Sequence, residues 1–419
     1  LKLKIKQLTN AEFKEFSEKF KPSSMYQTTY YAFTMNEEDY DTFFLGLMDG
    51  NILKAATLVL VQKINGFKYA LAPRGFLIDF NDLELVSVFT KEIKKFLGRR
   101  EIVALKINPL IVKKVYNADY KVIGQNMYYD NIFNHLKKIG FYHLGYNNFF
   151  EALKPRFEAI ININLPYAQL FANIKKPFRT KIRKAERDGI KVYHGNINNL
   201  DYLYLQTKKK YPRDLDYFKD LYTFFDKDNL IDFYYSKLDT TAYLQITQAR
   251  YSKYEKLSAE LNQELIKSHG KNDKIINQKL KIDEAFEEYK KQLVTATQYL
   301  KNYPDGIILS SALVVKWQEE VYLVMDGYDE QYKRFNAKHL LLWKLMGRYS
   351  KLGYKKFNLG GISNIQKTND IYKGLNEFKL NFNAQAVEYI GDFELITNSP
   401  LYFMYRKSAD FSNMLKPGK

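Results

Sequence analysis

Residues 353–393 read GYKKFNLGGISNIQKTNDIYKGLNEFKLNFNAQAVEYIGDF, and the rest of the chain is organised around them. Residues 354–359 have the composition of a short strand, rich in aromatic and apolar side chains and bounded by glycines. Gly360 and Gly361 then allow a sharp turn or a close approach to a ligand. Residues 374–382 set Leu375, Phe378, Lys379 and Phe382 at helical spacing, ahead of a last strand at 386–390. A strand, a glycine-lined turn and a lysine beside an aromatic ring make a pocket suited to a negatively charged group. The other reading of the same residues is a surface helix with a solvated lysine.

Working outward, one plan occurs twice. Strand patterns at 53–62 and 67–72 precede an amphipathic helix at 81–97, where Val86, Phe89, Ile93 and Phe96 repeat on one face and Gly98 ends the run. A strand at 101–108 follows. In the second half, strands at 307–315 and 321–325 lead into a helix at 337–350 and the strand at 354–359. Two halves of strand, strand, helix and strand predict an α/β (α+β) chain with two GNAT-like acyltransferase domains. Acetyltransferases of that kind hold a coenzyme A pyrophosphate on a glycine-rich loop at the start of the central helix. Residues 332–337 here read YKRFNA, with no glycine pair to let backbone amides surround a pyrophosphate. Acyl-CoA is not the expected donor, and no cofactor is expected.

Between 246 and 301 the pattern changes. Tyr254, Leu257, Leu261 and Leu265 form one seam, residues 269–272 a turn, and Ile275, Ile282, Phe286, Tyr289, Leu293, Ala296 and Leu300 a return seam broken only by Lys279. This spacing predicts an antiparallel coiled-coil hairpin. It holds ten basic and eight acidic residues from 246 to 300, so it is nearly neutral. A strut needs no more charge than this, whereas an arm supporting tRNA would rest on phosphate contacts. The expected organisation is residues 1–155 as one domain, 156–245 with 302–398 as the second, 246–301 as the hairpin and 399–419 as a basic, aromatic tail.

Net charge is +18, from 65 Lys and Arg against 47 Asp and Glu, which points to polyanionic partners: RNA, nucleotide-sugars or anionic lipid. With 35 Tyr and 30 Phe the chain has ample material for a core. Absence of cysteine excludes thiolate chemistry, disulfides and cysteine-ligated metal. The first residues, LKLKIKQLTN, alternate like a strand and lack the apolar stretch of a signal peptide. The longest uncharged run, 159–174, falls short of the roughly 20 apolar residues of a spanning helix and is interrupted by asparagines and Pro166. A cytoplasmic protein is expected, with contact to the inner membrane surface left open. The five histidines are dispersed without metal-ligand spacing, so no metal is expected, and no Gly-x-Ser-x-Gly elbow or phosphate-binding GK[ST] loop occurs.

The densest basic cluster is KKPFRTKIRKAER at 175–187, with seven basic residues and one acid. Pro177 suits the start of a helix, which sets Arg179, Arg183 and Arg187 on one face, a geometry that fits phosphate oxygens. A solvated basic helix fits equally well.

The order FNLGGI, GLNEFKLNF, EYIGDF resembles the C-terminal block of the FemABX family, the peptidoglycan bridge-forming aminoacyltransferases. Gln27-Thr28, APRGFLID at 72–79, KIRKAERDGIKV at 181–192 and the inserted hairpin extend the resemblance over essentially the whole chain. It implies transfer of an amino acid from aminoacyl-tRNA to the stem peptide of a peptidoglycan precursor, UDP-linked or lipid-linked. It also implies roles for named residues. Lys379 and its neighbour Phe378 are the catalytic candidates, with Lys379 meeting the tRNA 3′-end phosphate or the developing charge. Arg213 holds the position of a precursor-phosphate ligand; Arg179, Lys181, Arg183, Gly360, Gly361, Asn108 and Arg74 are further substrate-binding candidates. Two positions depart from the family pattern. Met35 stands where relatives carry a phosphate-binding lysine, and Asn108 stands where an aspartate commonly lines the acceptor site. These departures keep two alternatives open: a non-catalytic RNA- or precursor-binding homologue, and an aminoacyl-tRNA–protein transferase.

Overall fold

The structure, a computed structural model, describes residues 3–150, 152–209, 213–269, 272–365 and 371–414, with side chains to residue 408. The turn expected at 269–272 and the basic segment 208–213 therefore lie partly outside the described residues.

The strands are β1 (Lys4–Gln7), β2 (Asp41–Asp49), β3 (Ile52–Ile64), β4 (Phe67–Arg74), β5 (Ile102–Pro109), β6 (Val112–Tyr116), β7 (Val122–Gln125), β8 (Phe141–His143), β9 (Phe157–Asn162), β10 (Ile190–Gly195), β11 (Ile231–Leu238), β12 (Ile307–Trp317), β13 (Glu320–Tyr328), β14 (Lys356–Ile362), β15 (Gln385–Tyr389) and β16 (Phe393–Ile396). They form a seven-stranded sheet, β1-β2-β3-β4-β5-β16-β8, and a nine-stranded sheet, β10-β11-β12-β13-β14-β9-β15-β6-β7. The expected duplication is present in the topology. Each half holds one parallel pair, β4 with β5 and β13 with β14, joined through a crossover helix, Leu83–Gly98 or Ala337–Lys351. The sheets also exchange strands: β6 and β7 join the second sheet through β15, while β16 enters the first between β5 and β8.

Alternation along the central strands explains why both sheets are buried on two faces. Ala55, Val59 and Val61 of β3 pack with Val86, Phe89 and Ile93 of the first crossover helix. Ala56, Leu58 and Leu60 point the other way, into a core filled by the helices Asn10–Lys19, Thr29–Glu37, Leu200–Thr207 and Leu215–Asp226. That middle layer also receives Leu313, Val315 and Trp317 of β12, so it bonds the two sheets together. Leu309, Ala312 and Val314 face a third core under the helices Ala337–Lys351 and Lys176–Arg187. Gln27 and Thr28 have structural work: Gln27 is fully buried, accepts from Leu58 N at 2.8 Å and donates to Pro73 O at 2.9 Å, and Thr28 caps the helix Thr29–Glu37.

The hairpin is formed by helices Thr240–Lys267 and Asp273–Asn302. It begins earlier than the coiled-coil pattern because its base packs elsewhere: Tyr243 and Ala296 belong to the core of the second sheet, and Arg250 pairs with Asp188 at 2.8 Å. Above the base, Tyr254 meets Tyr289 with ring centroids 4.9 Å apart. Lys279, the break in the seam, is satisfied by Asp283, which also accepts from Ser258. Among the described residues, none from 252 to 293 belongs to the three large cores. Excision of residues 255–287 across a short glycine linker should therefore preserve a single cooperative thermal transition; loss of cooperativity would make the arm part of the core. Within the segment expected as a tail, Ser399–Met414 is a helix that sets Leu401, Tyr402 and Tyr405 against Tyr69 and Val103.

Candidate functional site

β13 and β14 pair only from Glu320–Tyr322 against Lys356–Asn358 and then part. Asn358 shows why. Its side-chain oxygen accepts from Gly360 N at 2.8 Å, turning the strand out of the ladder, and the register against β9 shifts between Asn358 and Gly361. Gly360, at φ +77°, takes the left-handed conformation this turn requires. In the first sheet, β4 and β5 stay paired as far as Arg74 and Pro109. The second half alone is thus opened between its parallel strands, and the gap is a cavity of about 910 Å³. Residues 323–328 and 359–361 form its strand walls, and the start of the helix Ala337–Lys351 and the helix Lys373–Leu380 close it.

Lys379 sits in that wall. Its ammonium donates to Gly361 O at 2.7 Å, and a Cβ on Gly360 would lie 3.7 Å from Nζ. Burial, with Lys338 nearby, lowers its pKa to about 8. The helix that carries it is pinned by Asn376, whose amide accepts from Ser363 N at 3.0 Å and donates to Ser363 Oγ at 2.9 Å. Phe378 packs against Phe178, His339 and Phe382, and Lys338, ion-paired with Asp326, lies 4.5 Å from the Phe378 ring centre. His339 borders the cavity, but burial, followed by the charges of Lys181 and Lys338, depresses it to about 3. A histidine that weak is neutral at working pH and a poor proton acceptor. The cavity thus offers ammonium groups, the carboxylates of Asp326 and Asp329 and apolar rings rather than a histidine base.

A second locus lies behind Gly361, whose added Cβ would meet Pro155 at 2.4 Å and Phe150 at 2.8 Å. Next to Pro155, Lys154 holds its ammonium 3.6 Å from the Tyr26 ring centre and 5.5 Å from that of Tyr31. Although the residue is half-buried overall, its charged end is enclosed: burial, then Arg74 and Arg213, bring it down to about 7. Among the described residues no carboxylate lies within ion-pairing distance of it. Arg213 is close by, 4.4 Å from the Tyr217 ring centre and 3.4 Å from Glu38. Arg74 is fully buried, bound to Glu158 at 2.5 Å and to Pro155 O at 2.8 Å. Asn108 accepts from Arg74 N at 3.0 Å and donates to Lys154 O at 3.2 Å.

The sequence profile of the FemAB family matches residues 8–408. The chain belongs to the FemAB family. The aminoacyltransferase FemA of Staphylococcus epidermidis is 24% identical over 429 residues, spanning 96% of this chain and 98% of its own length. FemA of Staphylococcus aureus (strain bovine RF122 / ET3-1) is 23% identical over 420 residues, spanning 96% and 97%. The crystal structure of FemX shares the fold, with a TM-score of 0.74 at 20% identity over 96% of this chain and 99% of that one.

In this FemAB chain, five of the residues singled out from sequence border one cavity: Lys379, Phe378, Gly360, Gly361 and Lys181. Arg213, Asn108 and Arg74 gather at the second locus instead. Arg179 and Arg183 join neither; Arg179 donates to Ala172 O at 2.8 Å and Arg183 lies over Phe171. Met35 is buried in the middle core. Sequence reasoning missed Lys154 and Asn376. Nothing local marks Lys154, because the Tyr26 and Tyr31 rings it faces, and the Arg213 charge that acts on it, come from distant segments. Asn376 lay within the quoted GLNEFKL, and its polar side chain at a position facing the core was the available signal.

Proposed function

We propose that this chain moves an aminoacyl group from charged tRNA to an amine on the stem peptide of a peptidoglycan precursor. The observation that carries the reading is the cavity between the parted strands β13 and β14, with the Lys379 ammonium in its wall. An aminoacyl ester is already activated, so no covalent enzyme intermediate is required. The protein's tasks are to position the amine against the ester carbonyl and to stabilise the oxyanion; the amide bond forms as the ester bond to the tRNA ribose breaks, and the amine's proton passes to the released ribose hydroxyl. Lys379 serves the developing charge or the 3′-end phosphate. Arg213 and Lys154, both against tyrosine rings, serve the phosphates of the precursor, a place in which Lys154 makes up for Met35. Asn108, its amide engaged by Arg74 and Lys154, acts by positioning. The decisive assay incubates the protein with mixed radiolabelled aminoacyl-tRNAs and either UDP-linked or lipid-linked precursor. A labelled stem peptide is expected. Absence of product with every pair, with tRNA or precursor binding retained, would favour the non-catalytic homologue, the reading that the buried Met35 supports.

The exposed basic helix Lys176–Arg187 is assigned to tRNA or precursor phosphates on its charge. Association with tRNA should weaken steeply from low to physiological salt, and Arg179→Gln with Arg183→Gln should flatten that dependence by about one logarithmic unit per lost phosphate contact. An unchanged slope would make this helix a solvated face.

A further inference from the structure

Twenty large hydrophobic side chains stand exposed among the described residues, and nine of them fall between positions 120 and 150. Scattered singly, such residues need no explanation; gathered in one short segment, they mark an interaction surface. The β6–β7 hairpin, at the edge of the nine-stranded sheet, carries Tyr120, Val122 and Ile123, and Met127 and Tyr128 follow it, Met127 being 88% exposed. Tyr129 and Tyr146 share a hydrogen bond at 2.6 Å, and Lys113 lies 4.0 Å from the Tyr146 ring centre. These contacts join the base of the hairpin to the loop that bears exposed Leu144, Tyr146 and Phe150, so the two exposed apolar segments adjoin.

The charge on this face decides what it fits. Lys121, Lys137 and Lys138 are exposed around it, and Lys114 is half-exposed. Of the nearby acids, Asp119 is met by Lys175 at 3.2 Å, leaving Asp130. Protruding aliphatic residues, tyrosines with an apolar body and a polar tip, and a rim of lysines match the boundary of a bilayer that carries anionic headgroups. No helix among the described residues is long and apolar enough to cross a membrane. Phe150 links the face to the chemistry, since it also borders the cavity and stacks edge-on with Tyr372, ring centres 4.9 Å apart.

We infer that the 120–128 hairpin and the 142–150 loop dock this chain on an anionic membrane surface, bringing the cavity beside an acceptor carried on a lipid. The docking stands on the surface alone; the acceptor's identity rests on the proposed function. The test uses the full chain and vesicles of phosphatidylglycerol mixed with phosphatidylcholine, against phosphatidylcholine alone, by co-sedimentation. Binding is expected to the anionic vesicles and to weaken with salt. Ile123→Ser with Met127→Ser should reduce partitioning by about tenfold, because apolar area buried in the interface sets the affinity. Lys121→Glu should reduce it less and flatten the salt dependence. Circular dichroism melting of each variant establishes that the fold is kept. Failure of the wild type to bind anionic vesicles, or equal binding by the Ile123/Met127 variant, overturns the inference. If that variant instead loses self-association in sedimentation, or loses tRNA retention, with vesicle binding unchanged, the face belongs to a second copy or to RNA and the inference is likewise overturned. Transfer to the soluble UDP-linked precursor reports separately: its absence counts against the proposed function and leaves vesicle binding untouched.

Discussion

Lys379→Met is expected to cut turnover about 10²–10³-fold, the range for removing one preorganised group that meets transition-state charge. Methionine keeps most of the volume of the stem, so the cavity wall remains filled and the loss is of charge. Stability should move the other way. Burial holds the folded-state pKa of Lys379 at about 8 against an ordinary 10.5. Below pH 8 both folded and unfolded chains carry the proton, and the folded chain bears the whole desolvation cost. Between 8 and 10.5 only the unfolded chain keeps it, and stability rises with pH. The variant should therefore melt no lower than wild type at pH 7, with any advantage shrinking as pH rises through that window. Activity supplies the independent check. If the ammonium is the active form, kcat/KM falls as pH rises through about 8, and Lys379→Arg, which stays charged, loses that falling limb. Near-wild-type turnover of Lys379→Met would remove Lys379 from the reacting centre.

The parts of this molecule that sequence reveals are those whose physics is local. Helix Leu83–Gly98 announces itself through Val86, Phe89 and Ile93 on one face, and the hairpin through its seams, because each pattern is dictated by which face meets a core. Gly360, Gly361, Phe378 and Lys379 fall within twenty residues of one another, so their shared cavity was legible. The opening of β13 from β14 was not. It depends on whether Asn358 turns onto Gly360 N or stays in the ladder, a competition that the residue types leave undecided. Strand exchange was hidden too: residues 112–116 and 393–396 are not among the strands expected from sequence, and only the packed sheets decide where they pair. Lys154 gains its character from Tyr26, Arg74 and Arg213, three residues brought to it by three different segments.

Glu158→Gln is expected to cost about 3–5 kcal/mol, the range for breaking a buried ion pair from one side. Glu158 receives Arg74 on one oxygen and Asn358 on the other at 2.9 Å, with Tyr389 OH at 3.3 Å. Asn358 also donates to Glu320 at 2.8 Å, and burial together with the Glu158 charge raises Glu320 to about 7. Glutamine preserves the shape but leaves the Arg74 guanidinium charged, 2% exposed and without its counter-ion. Arg74→Met combined with Glu158→Gln removes that stranded charge, so the double variant should be more stable than Glu158→Gln alone. Denaturant unfolding of the wild type, both single variants and the double variant measures the coupling directly. Simple additivity would show that the pair contributes little. The functional consequence follows from the Arg74 bond to Pro155 O, which fixes the segment carrying Lys154 beside Gly361. Under conditions where Glu158→Gln is still folded, the Michaelis constant for the precursor should rise while that for aminoacyl-tRNA stays near wild type, because the proposed function puts the displaced wall on the acceptor side. Equal changes in both constants would mean that Glu158 supports the whole cavity rather than one side of it.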